Sequence, residues 1–195
     1  MMKKNIAVAA LLFSFVQPHS SHAEKPIQFD FKSPAGSVEF HATGHPHLLH
    51  VNGKGVGPTG RVTINKTTVN GELVFDLTSL DTGIQTRDEH MKEKYLEVGK
   101  YPKSKLAISN LTLPQEISGK SLSITTAPFQ GVLSLHGVDK SVSGTFDFKQ
   151  DNKGVIQFSS DFSIKLSDFG IQIPSFSGVT IADDVKIDIT STLSP

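Results

Sequence analysis

The sequence of 195 residues contains no cysteine. Disulfides, thiolate nucleophiles, cysteine-ligated zinc, iron–sulfur clusters and a lipid anchor attached through an N-terminal cysteine are therefore excluded. Tryptophan is absent too, and there are only two tyrosines, Tyr95 and Tyr101, against 13 phenylalanines. Nearly every large aromatic side chain is thus without a polar handle. Neither sign of charge dominates: 19 Lys and Arg balance 19 Asp and Glu. Without a clustered basic surface, a nucleic-acid partner is not expected. Long hydrophobic runs are also missing. The longest, Ile6–Val16, has 11 residues, short of the roughly 20 that cross a bilayer as a helix, so no stable membrane insertion is expected.

That run does have a use. Lys3 and Lys4 precede it and Ser21-His22-Ala23 follows as a small-x-small site, the layout of a secretory signal peptide. Residues 1–23 are read as a leader cleaved after Ala23, and residues 24–195 as one domain, periplasmic or secreted. Removing Lys3 and Lys4 leaves 17 basic against 19 acidic residues, too small an imbalance to steer a strongly charged partner. The remaining chain is long enough to be held together by core burial alone.

From Ile27 onward the hydrophobic period is two. Val38 and Phe40, then Leu73, Phe75 and Leu77 (Val74 excepted), alternate with polar neighbours, as do Leu133-x-Leu135, Phe146-x-Phe148, Phe162-x-Ile164-x-Leu166 and Val185-x-Ile187-x-Ile189. This is the pattern of antiparallel strands with one face buried and one wet. Asn70-Gly71, Ser118-Gly119-Lys120 and Asp151-Asn152-Lys153-Gly154 supply turn chemistry between them. About eight or nine strands fit, in a sheet that must close on itself or pack on a second sheet.

One segment departs from the period. Thr86-Arg87-Asp88-Glu89 reads as a capping box, and Met91 and Tyr95 lie four residues apart. A short helix over about residues 86–95 is expected, with its Met91/Tyr95 side closing one end of the sheet.

Candidate chemistry is sparse. His41, His45, His47 and His50 are concentrated enough to suggest zinc or copper. In an extended strand, however, His45 and His47 share a face that His50 does not, and a polar strand edge is the plainer reading. Gly53-Lys54-Gly55-Val56-Gly57 lacks the GK[ST] ending and following helix of a phosphate loop, and reads as a strand bend. No G-x-S-x-G elbow occurs. Asp183-Asp184 and Asp88-Glu89 are sequence neighbours whose carboxylates diverge, so neither forms an acid/base dyad.

Four stretches, taken together, resemble the YceI-like family of exported polyisoprenoid-binding proteins. The first contains Ser79-Leu80-Asp81-Thr82-Gly83, then Arg87-Asp88-Glu89-His90-Met91, and returns through Lys100-Tyr101-Pro102. The second is Gly131-Val132-Leu133-Ser134-Leu135-His136-Gly137-Val138-Asp139-Lys140-Ser141-Val142. Leu166-Ser167-Asp168-Phe169-Gly170-Ile171 and a closing strand from Asp184-Val185-Lys186-Ile187 complete the set. The chain departs from the family's pattern at Gly44–Gly55.

The resemblance implies an all-β, lipocalin-like, extended eight-stranded antiparallel β-barrel with one helix. It also implies a carrier or store for a polyisoprenoid, an isoprenoid quinone or a similar long apolar lipid, with no catalysis and no cofactor. Homodimer formation is compatible with such a barrel. A lipid tail offers only hydrocarbon surface, which suits a Phe-rich interior. At roughly 0.8 kcal/mol per buried CH₂, ten such groups nominally contribute about 8 kcal/mol before chain ordering is subtracted.

Strand alternation and the helix face nominate Phe40, Val51, Phe75, Leu77, Met91, Leu96, Leu133, Phe146, Phe162 and Phe169 as ligand contacts. Arg87, Asp88 and His90 are expected to hold the helix against loops. Two rival functions remain: an enzyme acting on an isoprenoid lipid through His90 with Asp88, and a metal-binding protein built on the His41–His50 cluster.

Overall fold

The computed structural model describes residues 25–32, 35–45, 49–117, 121–176 and 178–193. The leader, His47 and the Ser118-Gly119-Lys120 turn lie outside them. Among the described residues the chain is an antiparallel sheet with one short helix. The strands are β1 (Ile27–Phe31), β2 (Gly36–His45), β3 (Leu49–Val56), β4 (Thr59–Asn65), β5 (Thr68–Asp76), β6 (Lys103–Thr112), β7 (Leu122–Leu135), β8 (Val138–Gln150), β9 (Ile156–Lys165), β10 (Ser175–Phe176) and β11 (Val179–Leu193). Ten of them form one ladder in the order β1-β4-β5-β6-β7-β8-β9-β11-β2-β3, with β10 paired to β11 outside that path.

The expected eight-stranded closed barrel is therefore corrected to a ten-strand, strongly curled sheet, a half-barrel whose edge strands β1 and β3 do not pair with each other. The reason for the difference in count lies mainly in β3. Its inward positions are Val51, Gly53 and Gly55, and its outward ones are Asn52, Lys54 and Val56. With glycine at two inward places, no apolar alternation shows in the sequence. A Cβ on Gly53 would stand 2.2 Å from the Phe40 ring, and one on Gly55 2.8 Å from Ser79 Oγ. The glycines are what lets Phe40 and Leu80 lie against the strand.

The gap beside β3 is covered by the chain that follows β5. Lys54 and Asp81 exchange backbone hydrogen bonds, both 2.8 Å, and the Val56 amide donates to Ser79 Oγ at 3.1 Å. The Ser79–Gly83 stretch thus serves as a short substitute strand on an otherwise open edge. At the other edge, β1 reaches across the interior. Phe29 meets Phe148 edge-on at 5.8 Å, and Phe31 meets Phe158 at 5.5 Å.

The helix α1 (Gln85–Glu89) runs directly into a π-helical turn, His90–Tyr95. Its position matches expectation but its cap does not. Ile84 is the N-cap residue and makes no side-chain bond, while Thr86 lies inside the helix. The start is fixed instead by a clasp on Thr82. The Thr82 amide and hydroxyl both donate to Asp88 Oδ1, at 2.8 and 2.5 Å, while Arg87 donates to Thr82 Oγ1 at 2.8 Å and to its carbonyl at 2.7 Å. Met91, Tyr95 and Leu96 pack partly buried against the core.

Candidate functional site

The curled sheet buries one contiguous apolar core, and in the half away from the helix that core leaves a void. The cavity measures about 80 Å³. Its walls come from β1 (Phe29, Phe31), β4 (Val62, Ile64), β5 (Val69, Leu73) and β6 (Leu106, Ile108, Leu111) on one side. On the other stand Phe129 of β7, Phe146 and Phe148 of β8, Phe158 and Ser160 of β9, and Ile189 and Leu193 of β11. Leu113 and Ile117, in the connection after β6, cap it. Both are buried, and the Leu113 amide is tied to the Thr67 carbonyl at 2.7 Å.

Seventeen of the eighteen lining residues are apolar, and none is ionisable. The exception, Ser160, donates its hydroxyl to the Thr145 carbonyl at 3.0 Å. Such walls offer burial and dispersion but no charge, so the compatible occupant is a neutral, slender, hydrocarbon-like group.

Of the ten residues nominated from sequence, Phe146 lines this cavity. Phe162 is buried immediately behind it, its ring meeting Phe129 edge-on at 5.9 Å. Val51, Phe75, Leu77, Leu133 and Phe169 are buried core residues, whereas Phe40, Met91 and Leu96 are partly buried against that core. These eight lie outside the cavity wall. What sequence reasoning missed is the set from β1, β4 and the Leu113–Ile117 cap. Val62-x-Ile64 and Phe29-x-Phe31 carry the alternating signal; nothing local shows that they stand opposite β8 and β9.

The polar clusters resolve into structural networks. The Asp88 carboxyl is opposed by burial, but the two Thr82 hydrogen bonds, helped by Asp81 and Lys92, prevail and hold its pKa below the ordinary carboxylate value. Its Oδ1 is engaged on Thr82. Asp183 is held low by the Ser167 hydroxyl and amide, which donate to it at 2.6 and 2.8 Å and pin the turn Leu166–Phe169 to β11.

The expectation for the histidines needs correcting. Because β2 and β3 form an antiparallel hairpin pairing Thr43 with His50, His41, His45 and His50 all come to the outer face. His41 joins Asp188 at 3.0 Å and Asn52 at 3.0 Å. Among the described residues no group of three or more side chains is arranged to hold a metal. His136 bonds the Phe169 carbonyl at 3.1 Å and Glu97 at 2.7 Å, joining the β7–β8 turn to two loops.

Comparison with known proteins settles the lineage. Residues 23–193 match the YceI-like domain. The chain belongs to that family. A UPF0312 protein of Pseudomonas putida strain W619 is 30% identical over 108 residues, and its counterpart in strain KT2440 is 29% identical over the same length. Each match spans 52% of this chain and about half (52%) of the relative.

Solved structures share the fold at low identity. BcnA of Burkholderia cenocepacia superposes with a TM-score of 0.66 at 17% identity, covering 85% of this chain and 100% of that one. A polyisoprenoid binding domain from Saccharophagus degradans, implicated in plant cell wall breakdown, gives 0.62 at 16%, covering 85% and 97%. The YceI protein of Campylobacter jejuni gives 0.59 at 18%, covering 76% and 87%.

Proposed function

We propose that this YceI-like protein is an exported binding protein that holds a polyisoprenoid, an isoprenoid quinone or a similar long apolar lipid, as a carrier or store and without catalysis. The observation that carries the reading is the cavity itself: an uncharged hydrocarbon wall inside a fold shared with a polyisoprenoid binding domain. The void of about 80 Å³ is smaller than the roughly 300 Å³ at which ordinary ligand pockets begin. A thread therefore enters by displacing the Leu113/Ile117 cap and swinging the Phe rings lining the wall. Each methylene that replaces void or water in that space contributes roughly 0.8 kcal/mol. Export through the leader ending at Ala23 completes the proposal, since an extracytoplasmic carrier shields a lipid tail where no membrane does.

The test is to express the full chain in a Gram-negative host, recover the periplasmic fraction, and sequence the N-terminus. The same protein is extracted with organic solvent and the extract weighed by mass spectrometry. A mature start after Ala23 and a recurrent prenyl lipid support the reading. Empty protein that also takes up no added farnesol overturns it.

A further inference from the structure

We infer that the wall of the cavity is split between β6 and β7, and that a lipid tail enters sideways through this split while its head group stays outside on uncharged banks. The inference rests on the lipid-binding reading of the cavity. It adds to that reading an entry side and a ligand class, single-tailed lipids with a bulky, neutral, hydrogen-bonding head.

β6 and β7 are neighbours in the sheet, yet only Lys105, Leu106 and Ala107 pair with Ser134, Leu133 and Val132. The next positions still approach, since a Cβ on Gly131 would stand 2.7 Å from Ile108 Cδ1. There the ladder between them ends. Among the described residues, the rest of β6 pairs only toward β5, and the first part of β7 only toward β8. Pro128 lies in that part of β7, and proline, which cannot donate to a ladder, belongs at sheet edges and bulges.

The divergence is built in from both sides. On β6, Ser109 and Asn110 together oppose Asn70 of β5; on β7, Thr125 and Thr126 together oppose Asp147 of β8. Each is a β-bulge, which bends its strand. In each, the second residue has a left-handed backbone, with φ 54° at Asn110 and 52° at Thr126. Its amide donates to the opposing side chain, to Asn70 Oδ1 at 2.8 Å and to Asp147 Oδ1 at 2.7 Å. A β-branched threonine rarely takes this conformation, so the bend at Thr126 is imposed against local preference. Matching devices thus bend both strands that flank the gap.

The gap borders the cavity. Ile108 and Leu111 from one bank and Phe129 from the other line the void, as do Leu113 and Ile117 on the connection between the two strands. Outward, the banks carry Ser109, Asn110, Thr112, Ser123, Thr125 and Gln130, all exposed and none charged. The neighbouring charges on β8, Asp147 and Lys149, are of opposite sign. A tail therefore meets only apolar surface inside, while hydroxyls and amides at the rim suit a polar, neutral head. Only the tail needs room within.

The test exploits the absence of cysteine. Ser109→Cys and Ser123→Cys each place a lone thiol on one bank, whereas Lys94→Cys and Gln157→Cys place one at the helix end and on the outer face of β9; all four positions are exposed. Each protein is modified with a polyethylene glycol maleimide, and uptake of farnesyl anthranilate is followed by fluorescence. Modification of either bank is expected to slow uptake by about tenfold or more, and modification of the other two to leave it unchanged. On the wild-type protein, photolysis of bound farnesyl benzoylbenzoate, whose head is the reactive group, is expected to label residues 109–112 and 122–130. Bank-modified proteins that take up lipid at the same rate as the other two, or labels placed elsewhere, overturn the side entry and leave the lipid reading standing. A wild type that takes up neither these probes nor farnesol overturns both.

Discussion

Gly144 of β8 faces Phe162 of β9, and a Cβ on the glycine would stand 2.7 Å from the Phe162 Cβ and 2.1 Å from the Asp161 carbonyl oxygen. That close approach lets Phe129 and Phe162 meet edge-on directly behind the cavity. Gly144→Ala should therefore destabilise the protein by about 1–3 kcal/mol through overpacking against backbone that cannot yield. Urea melts should show a lower midpoint with an unchanged slope. Phe129, displaced toward the void, should also weaken farnesol binding. A variant as stable as wild type would show that the strands separate there at no cost.

Filling the cavity should separate binding from folding. Val62 lines the void and is only partly buried. Val62→Phe places a ring where there is space, so it should cost less than the roughly 1–3 kcal/mol typical of overpacking a filled core. Lipid uptake should be lost. Retained uptake with unchanged melting would put the guest elsewhere.

The Thr82 clasp should carry a pH signature. Asp88 has a folded-state pKa below its ordinary 3.8, so its contribution is fully present above that value and is lost as pH falls through the lower folded-state pKa. Asp88→Ala should cost about 1–2 kcal/mol near neutral pH, by removing two hydrogen bonds to a carboxylate. The gap between variant and wild type should narrow as the solution is acidified below pH 3.8, through the lowered folded-state pKa. A gap that stays constant across this range would mean the charge on Asp88 is not what holds the helix. Farnesol binding should persist in the variant, because the clasp lies at the end of the fold away from the cavity.

The Ser79–Gly83 cover on β3 makes a different prediction. Ser79→Ala removes the acceptor of the Val56 amide and the donor to the Asp76 carbonyl. It should loosen the substitute strand and expose an edge able to pair with another chain. Size-exclusion chromatography and light scattering should show more self-association than wild type at equal concentration. A strictly unchanged elution profile would show that Lys54 and Asp81 cover the edge on their own.

Much of the fold is legible in the sequence because the period-two pattern is a direct image of a half-buried strand. The inward positions of β5, β7, β8, β9 and β11 follow it, with Leu73, Phe75, Leu133, Phe146, Phe162 and Ile189 all buried. The helix is legible from its break in period. Its cap is not, because Thr86-x-x-Glu89 fits a capping box locally while Thr82, held by Arg87 and Asp88, wins through more hydrogen bonds. β3 is hidden because glycine writes no hydrophobic letter.

The cavity is the least legible feature. Alternation says that Phe162 and Phe146 point inward; which inward residues border a void depends on how far β1 and β4 curl toward β8 and β9. That closure is built from long-range ring contacts such as Phe31 on Phe158. For the same reason the family's motifs direct attention to the helix end, where Thr82, Arg87 and Asp88 serve as structural anchors.

The most direct test is a methyl-resolved NMR titration of the labelled protein with farnesol. Shifts concentrated at Val62, Ile64, Ile189 and Leu193, with Leu77, Met91, Leu96 and Leu133 little changed, are the predicted result. Shifts centred on Met91, Leu96 and Leu133 at the helix end, or none at saturating farnesol, would contradict the assignment of this cavity as the lipid site.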